Sequence, residues 1–254
     1  NPTEQGRLFY GGAVRILDAI EEAEAQVQDI TQSPRGSIYV AAPLGVGRRF
    51  IAPAVPDFKE KYPLIDVRLR LSDRSVDLTA EGLDVAFFLG TPKDSTFKMK
   101  KIADCPRLLC AAPSYLKQRG APQSLKELTD GTHDCLNLRF PGASEFQWPL
   151  MTENGVQRCA VKGPFESDDG DVLTNWAVDG FGIIMKPYFE VADHLQSGAL
   201  VAVLPQHGPV EIQLGCLYPH RRKQDPKVRL FIDFMAERSA AQMATIMLGV
   251  QLPR

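Results

Sequence analysis

The first 33 residues carry an unbroken heptad pattern of apolar side chains. Successive apolar residues are spaced alternately by four and three positions, which is typical of a helix that packs along a seam against another helix. The seam residues are Phe9, Ala13, Ile16, Ile20, Ala23, Val27 and Ile30. We therefore expect residues 1–33 to form a linker or dimerisation helix. The alternative, that the seam packs against the rest of its own chain, stays open.

Composition and charge exclude several classes of protein. The 254 residues are 44% hydrophobic and 24% charged, as in globular proteins, and the net charge of −2 argues against a large nucleic-acid-binding face. No apolar run approaches the roughly 18 residues that cross a bilayer, and no secretory signal is recognisable. We expect a cytoplasmic protein without a membrane partner. Because the chain begins with Asn1, we also expect it to be part of a longer protein.

The cysteines and histidines predict neither a disulfide framework nor a metal site. Five cysteines is an odd number, and Cys105 and Cys110 would point to opposite faces of one strand. No C-x-x-C motif occurs, and the four histidines are scattered through loop-like stretches, where we expect them at the surface. We expect reduced, buried thiols, no metal and no cofactor. A redox-sensing thiol is the alternative.

A strand pattern begins directly after the heptad region, and strands then alternate with helices. Strands are predicted over Ser37–Ala42, Asp66–Leu71 and Asp84–Leu89, separated by one long helix and by a short helix over Val76–Glu81. This order predicts a parallel sheet with right-handed crossover connections.

The remaining elements predict a second lobe and a return to the first. Short strands are expected near 99–102, 107–112, 135–139, 146–151 and 157–162, a helix over 171–178, strands over 200–204 and 210–218, and an amphipathic helix from Pro226. We assign residues 34–101 and 209–254 to the first lobe and residues 102–208 to the second. Two α/β lobes form a cleft at the carboxyl ends of the strands, where ligands of such sheets bind.

Several loops could face this cleft. The loop Pro43–Gly47 leads into a helix N-terminus, where free N–H groups favour an anion, although a tight turn needs the same glycines. Asp168 and Asp169 precede another helix and could cap it, repel an anion or hold a hydroxyl or amine. Arg139 ends a strand and could bind a carboxylate through two hydrogen bonds or form a surface ion pair. No catalytic motif occurs, so a binding protein is expected rather than an enzyme.

Short phrases along the whole chain resemble the LysR-type transcriptional regulators, in particular the branch of CrgA-like and DmlR-like regulators. They are Thr3-Glu4-x-Gly6, Pro34-Arg35-Gly36-Ser37-Ile38, Phe58-x-x-x-Tyr62-Pro63, Val76-Asp77-Leu78-x-x-Glu81-Gly82-x-Asp84-Val85-Ala86, Ala112-Pro113-x-Tyr115-Leu116, His133-Asp134-Cys135-Leu136, Gly180-Phe181-Gly182-Ile183 and Pro226-Lys227-Val228-Arg229-x-Phe231-Ile232-Asp233-Phe234. The resemblance implies an effector domain with a periplasmic-binding-protein-like α/β fold, made of two Rossmann-like subdomains with a cleft.

The resemblance also implies partners and site residues. The family carries a winged helix-turn-helix before the linker helix; we expect this chain to lack it, to contact DNA only through it, and to form homodimers or homotetramers. A small-molecule effector, an organic acid or an aromatic compound, is expected in the cleft. The ligand loops of the family correspond to Leu44, Gly45, Val46, Gly47, Arg48, Ser72, Asp73, Leu89, Gly90, Arg139, Phe140, Asp168 and Asp169. Many relatives have Ser or Thr in the first of these loops, so backbone donors or a more apolar effector are expected here.

Two other functions fit parts of the pattern. A two-lobed solute-binding protein for transport would share the fold, but the heptad helix and the lack of a secretory signal argue against it. A thiol-based redox regulator of the same family would need a reactive cysteine, whereas the cysteines stand in apolar, strand-like surroundings.

Overall fold

A computed structural model describes residues 34–74, 76–90, 97–139, 147–219, 222 and 225–248, together with residues 3, 5, 6, 9, 10, 13 and 16. The strands are β1 (Gly36–Ala42), β2 (Ile65–Leu71), β3 (Val85–Gly90), β4 (Lys98–Cys105), β5 (Arg107–Ala111), β6 (Asn137–Leu138), β7 (Gln147–Thr152), β8 (Gly155–Ala160), β9 (Glu166–Ser167), β10 (Ile184–Pro187), β11 (Val201–Val203) and β12 (Ile212–Tyr218). Helix α1 has three consecutive segments, Leu44–Val46, a π-helical turn over Gly47–Ile51, and Ala52–Lys61. The other helices are α2 (Pro113–Arg119), α3 (Leu125–Thr129), α4 (Gly170–Val178), α5 (Tyr188–Gln196) and α6 (Pro226–Leu248), with a 3₁₀ turn over Pro205–His207.

The first lobe is built on a five-stranded sheet with the order β2-β1-β3-β12-β4. Strands β1, β2 and β3 are mutually parallel, which confirms the prediction for this part of the chain. Strand β12 runs antiparallel to both β3 and β4. Strand β2 forms one edge of this sheet and alternates buried or half-buried apolar residues with the exposed Asp66, Arg68 and Arg70. Charged side chains on an edge strand oppose pairing with another sheet.

A hydrogen bond from α6 compensates a proline in α1. Pro53 has no N–H to donate to the carbonyl oxygen of Arg49, four residues earlier. Nε2 of Gln242 in α6 donates to that oxygen at 3.0 Å instead. The π-helical turn lies immediately before this position, and the Ala52 N–H bonds the Gly47 carbonyl there. Pro53 and Pro56 both lie well inside α1.

The second lobe contains shorter sheets. Strands β10, β5 and β11 form an antiparallel sheet, β7 and β8 form a hairpin, and β6 pairs with β9 in parallel. The chain enters this lobe through a first crossover at residues 105–107 and leaves it through a second crossover at residues 208–211. Strand β4 belongs as a whole to the first sheet, whereas the predicted boundary follows residue 101. The division into domains stays a prediction.

Aromatic packing fills the first core and joins it to the second lobe. Phe58 contacts the edge of the Phe231 ring with the centroids 5.0 Å apart, and both side chains are fully buried. Phe50 of α1 makes the same kind of contact, also at 5.0 Å, with Phe189 of α5. Edge-to-face pairs contribute about 0.5–1.5 kcal/mol beyond their buried area. Met247 of α6 packs against cores of both lobes.

Some local predictions were wrong. Residues 78–82 form a turn instead of the helix predicted over 76–81, because Asp77 Oδ1 accepts hydrogen bonds from the N–H groups of Thr79 and Ala80. Helices α3 and α5 were not predicted. His133 is 1% exposed, not at the surface, and its Nδ1 lies 3.2 Å from the Tyr115 hydroxyl.

The start of the predicted linker helix is helical at the residues the structure describes. Thr3 Oγ1 accepts a hydrogen bond from the Gly6 N–H at 3.1 Å, as a helix N-cap does. Phe9 and Ile16 of the seam are 80% and 64% exposed. Ile20, Ala23, Val27 and Ile30 lie outside the described residues. Within the described parts of the chain, none of the helices has the length and apolar character needed to span a membrane.

Candidate ligand-binding site

A cavity of about 860 Å³ lies between the two lobes. The first lobe contributes the ends of β1 and β3 and the loops after β1 and β2. The second lobe contributes β6, β7, β10 and the N-terminal ends of α4 and α5. Apolar side chains form most of its lining: Ala41, Ala42, Leu44, Val76, Leu78, Ala86, Phe87, Leu89, Leu136, Leu138, Trp148, Leu173, Ile184, Met185, Ile212 and Leu217. A cavity of this size and character suits a small organic molecule.

The first loop of the cavity is held by a carboxylate. Asp73 Oδ1 accepts a hydrogen bond from the Leu44 N–H at 2.7 Å. Burial raises the pKa of Asp73, although the Leu44 N–H acts in the opposite direction. The first loop thus donates a backbone N–H to a side chain of the protein itself, and donation to a ligand stays a prediction.

A buried ion pair stands beside this loop. Lys186, the third residue of β10, pairs with Glu190 in the first turn of α5, and their side chains are only 6% and 9% exposed. A Cβ at Gly45 would come within 2.1 Å of Glu190 Oε1, and a Cβ at Gly170 within 2.6 Å of Lys186 Nζ. Both glycines therefore allow the backbone to approach the pair closely.

Four charged side chains connect the lobes and form what we name the inter-lobe ion network: Arg48, Arg49, Asp169 and Asp171. Arg48 donates to Asp171 at 2.6 Å and to Asp169 at 3.3 Å. Arg49 donates to Asp171 at 2.7 Å. Burial raises the pKa of Asp171, but hydrogen bonds from the two guanidinium groups outweigh it and the pKa is lowered. The network holds α1 of the first lobe against the start of α4.

The N-terminus of α4 is already occupied by protein groups. Asp169 is the N-cap and accepts a hydrogen bond from the Asp171 N–H at 2.8 Å. Burial raises the pKa of Asp169, but this hydrogen bond and the one from Arg48 outweigh it and lower the pKa. Of the three roles that the sequence left open for these acids, the structure realises capping.

Arg107 stands at the first crossover and lines the cavity. Its Nε and Nη2 donate to the carbonyl oxygen of Val210, in the second crossover, at 2.9 and 2.6 Å. Burial lowers the pKa of Arg107 to about 10, so the group remains protonated at neutral pH. Asn137 also lines the cavity; its Nδ2 donates to the Cys135 carbonyl at 3.3 Å, while its buried Oδ1 has no partner among the described residues.

The residues predicted to bind the ligand fall into two groups. Leu44, Gly45, Ser72, Asp73, Leu89 and Asp169 line the cavity together. Val46 and Gly47 are buried in α1, and Arg48 belongs to the ion network. Arg139 pairs with Glu166 at 2.7 Å, whereas Gly90 and Asp168 do not line the cavity. Phe140 lies outside the described residues. Ligand binding by any of these residues stays a prediction.

Sequence reasoning missed Arg107, Lys186, Glu190 and Trp148. Arg107 and Trp148 lie inside predicted strands, Lys186 lies in β10 and Glu190 in the unpredicted helix α5. An isolated charge or aromatic residue has no distinctive spacing in any of these elements. Among the residues that the structure describes, no group of three or more His, Cys, Asp or Glu side chains could hold a metal ion.

All five cysteines are free and buried. Burial raises the pKa of Cys105 to about 11 and those of Cys110, Cys135 and Cys216 to about 12, and it also raises the pKa of Cys159. The thiolate is the reactive form, so these thiols are poor nucleophiles. This environment disfavours the alternative of a redox-sensing thiol.

We expect the folded protein to resist alkylation. At pH 8 a thiol with a pKa of about 12 is ionised in about one molecule in 10,000. Mass spectrometry after brief treatment with iodoacetamide should find no label, whereas the same treatment in guanidinium chloride should label all five cysteines. Rapid labelling of one thiol in the folded protein would restore the redox alternative.

Comparison with known proteins places these features in a family. A family model described as the LysR substrate binding domain matches residues 31–240. The HTH-type transcriptional regulator DmlR of Escherichia coli K12 is 31% identical over 236 residues, which cover 92% of this chain and 76% of DmlR. The full-length structure of AphB, a virulence activator of Vibrio cholerae, matches with a TM-score of 0.71 and 29% identity over 93% of this chain and 80% of AphB. CrgA of Neisseria meningitidis matches with a TM-score of 0.71 and 26% identity over 92% of this chain and 79% of CrgA.

These matches confirm the resemblance and the periplasmic-binding-protein-like α/β fold with two lobes. The chain belongs to the LysR-type transcriptional regulators, and its matched part is their effector-binding domain.

Proposed function

We propose that this chain senses a small-molecule effector in the cavity between its lobes and passes its occupancy to the DNA-binding part of a transcription regulator. One observation carries the proposal. The cavity of about 860 Å³ takes its walls from both lobes, so a molecule inside it contacts both at once. Such a ligand can favour one relative placement of the lobes over another.

The lining supports an organic acid or an aromatic compound as the effector. Most lining residues are apolar, and the indole of Trp148 is 5% exposed. A few polar groups with a fixed orientation, including Asp73 and Asn137, lie among them. This combination is typical of sites that bind the body of a ligand by burial and orient it by a few hydrogen bonds.

The inter-lobe ion network supports a switch in lobe placement. Arg48 and Arg49 belong to the first lobe, whereas Asp169 and Asp171 belong to the second. The contacts therefore form only when the lobes are close enough to give the cavity both walls. A ligand that binds this arrangement more tightly than a separated one raises its population.

The names of the relatives support the remaining parts of the proposal. DmlR is a transcriptional regulator of the HTH type, so we propose that the intact protein contacts DNA through a helix-turn-helix domain outside this chain. We propose a cytoplasmic location, a binding role instead of an enzymatic one, and a homodimer or homotetramer assembled partly through residues 1–33. The exposure of Phe9 and Ile16 supports the helix seam as an interface.

A thermal-shift screen of small organic acids and aromatic compounds tests the effector site. A ligand at one hundred times its dissociation constant stabilises a protein by about 2.7 kcal/mol, which raises the Tm of a chain of this size by about 5–10 °C. We expect Leu138→Trp to abolish the shift of the best compound, because Leu138 lines the cavity and the larger ring occupies its space. Leu138 is 41% exposed, so the fold tolerates the change.

Met151→Trp is the matched control for this substitution. Met151 is 45% exposed on β7 and does not line the cavity. We expect this variant to keep the full ligand-induced shift. Equal ligand-induced Tm shifts in Leu138→Trp and Met151→Trp would show that the ligand binds outside the cavity.

The inter-lobe ion network predicts an effect on affinity. Partly exposed ion pairs contribute about 0.2–1 kcal/mol each. We expect Arg48→Ala combined with Arg49→Ala to weaken binding of the screened ligand about two- to fivefold in titration calorimetry, because the bridged arrangement becomes less populated. Arg70→Ala is the control, since Arg70 pairs with Glu81 within the first lobe. An equal loss in the control, or no loss in the double variant, would contradict a role of the network in lobe closure.

The exposed residues of the seam predict that packing between linker helices contributes to oligomerisation. We expect Phe9→Asp combined with Ile16→Asp to lower the mass observed in sedimentation velocity, because two carboxylates would enter an apolar helix interface. Tyr39→Asp is a control at an exposed apolar position, 48% exposed, on β1. If the seam variant keeps the wild-type mass, the effector domains alone hold the oligomer together.

A further inference from the structure

We propose that Arg107 binds the carboxylate of the effector at the point where the two crossovers meet. The proposal rests on the effector site described above and names the group of the ligand that is recognised there. Arg107 is the first residue of β5, immediately after the first crossover, and it lines the cavity.

Among the residues that the structure describes, the charge balance of the cavity gives Arg107 no counter-ion. Three cationic side chains line it in the described part of the chain: Arg74, Arg107 and Lys186. Lys186 is paired with Glu190, and Arg74 is exposed to solvent. Arg107 is half-buried, and no carboxylate of the described residues forms an ion pair with it. A buried cation without a partner is costly, and an anion offsets that cost.

The acids that line the cavity are already engaged. Asp169 and Asp171 belong to the inter-lobe ion network, and Glu190 pairs with Lys186. Asp73 accepts the hydrogen bond of the Leu44 N–H. The N-terminus of α4, the other group that attracts anions, is capped by Asp169. An anionic ligand is therefore repelled along this side of the cavity and is attracted to Arg107.

The hydrogen bonds of the guanidinium leave one edge for a ligand. Nε and Nη2 each donate one hydrogen to the carbonyl oxygen of Val210. A guanidinium has five N–H donors, so three remain, one on Nη2 and two on Nη1. The pair of nitrogens Nη1 and Nη2 can hold both oxygens of a carboxylate in the end-on geometry.

The position of Arg107 gives this contact a consequence for the lobes. The same guanidinium connects β5 with Val210, 103 residues later in the chain, and so joins the two crossovers. The Val210 N–H donates to the Pro149 carbonyl of β7 at 3.0 Å, which fixes Val210 on the second lobe. A carboxylate at Arg107 therefore binds where the lobes hinge, and the apolar lining receives the rest of the ligand. The structure thus favours a carboxylate that carries an aromatic or aliphatic body.

Matched acids and amides test the proposal. The probes are benzoate, phenylacetate and hexanoate with their primary amides. Binding is followed by calorimetry and by tryptophan fluorescence, to which Trp148 in the cavity and Trp176 outside its lining both contribute. A charge-assisted contact is worth a factor of about 10 or more in affinity. We expect the wild-type protein to bind at least one acid tenfold more tightly than its amide.

Three variants separate recognition from folding. Arg107→Gln keeps a donor for the Val210 carbonyl but has no charge, and we expect it to lose the preference for the acid over the amide. Arg107→Lys keeps the charge without the paired donors, and we expect an intermediate preference. Arg74→Gln, at the exposed cation of the cavity, should keep the wild-type preference. Thermal unfolding of each variant shows whether it is folded.

Two outcomes would overturn the proposal, and both differ from failure of the effector site itself. If Arg107→Gln keeps the wild-type preference for an acid, the carboxylate binds elsewhere, while the cavity remains a ligand site. If wild type prefers no acid over its amide, carboxylate recognition is wrong, although neutral ligands can still bind. The effector site itself would be wrong only if no ligand were found whose binding is lost in the Leu138→Trp variant.

Discussion

The insertion of β12 between β3 and β4 is the constraint on which the rest of the structure depends. The first sheet cannot be completed until the chain has built the second lobe, because its fourth strand in spatial order comes from residues 212–218. This requires two crossovers, and they lie side by side, joined by the hydrogen bonds from Arg107 to Val210. The cavity follows, since two lobes tethered at one edge enclose space between them.

Helix α6 also connects the two lobes. It follows β12, supplies Phe231 to the first core, and donates from Gln242 to the carbonyl that Pro53 leaves without a donor. Its last turns also pack against the second lobe through Met247. The end of the chain therefore stabilises the first lobe and limits how the second lobe can move relative to it.

The polar groups of the cavity divide into those that join the lobes and those that face the ligand. Arg48, Arg49, Asp169 and Asp171 neutralise one another across the lobe boundary, and Lys186 and Glu190 do so within the second lobe. Arg107 is the half-buried cation of the lining that forms no ion pair with the described acids. Most other charged groups of the lining are paired or hydrogen-bonded within the protein, or exposed like Arg74. Ligands are therefore discriminated mainly by Arg107, whose charge forms no ion pair with the described residues.

Many of the local elements and the family could be predicted from the sequence, because they depend on short-range patterns. The alternation in β2, the apolar stripe of α6 and the ordered family phrases are all visible in consecutive residues. The turn at 78–82 was wrongly predicted as a helix because side-chain hydrogen bonds of Asp77 compete with helical ones. The loop Leu44–Gly45 was placed at the cavity because strand ends meet at one edge of a sheet, whereas Ser72–Asp73 was placed there because it corresponds to a ligand loop of the family.

Only the tertiary structure decided which charges meet. Arg48 and Asp171 are 123 residues apart, and Arg107 and Val210 are 103 residues apart. Periodicity records whether a residue faces a core or solvent, but it carries no information about which distant residue lies opposite. The sequence by itself therefore determined two lobes, a helical start to the chain and the family. The three-dimensional packing determined that Arg139 pairs with Glu166 and that Arg107 faces the cavity, because a side chain acquires its partner only when the lobes are folded together.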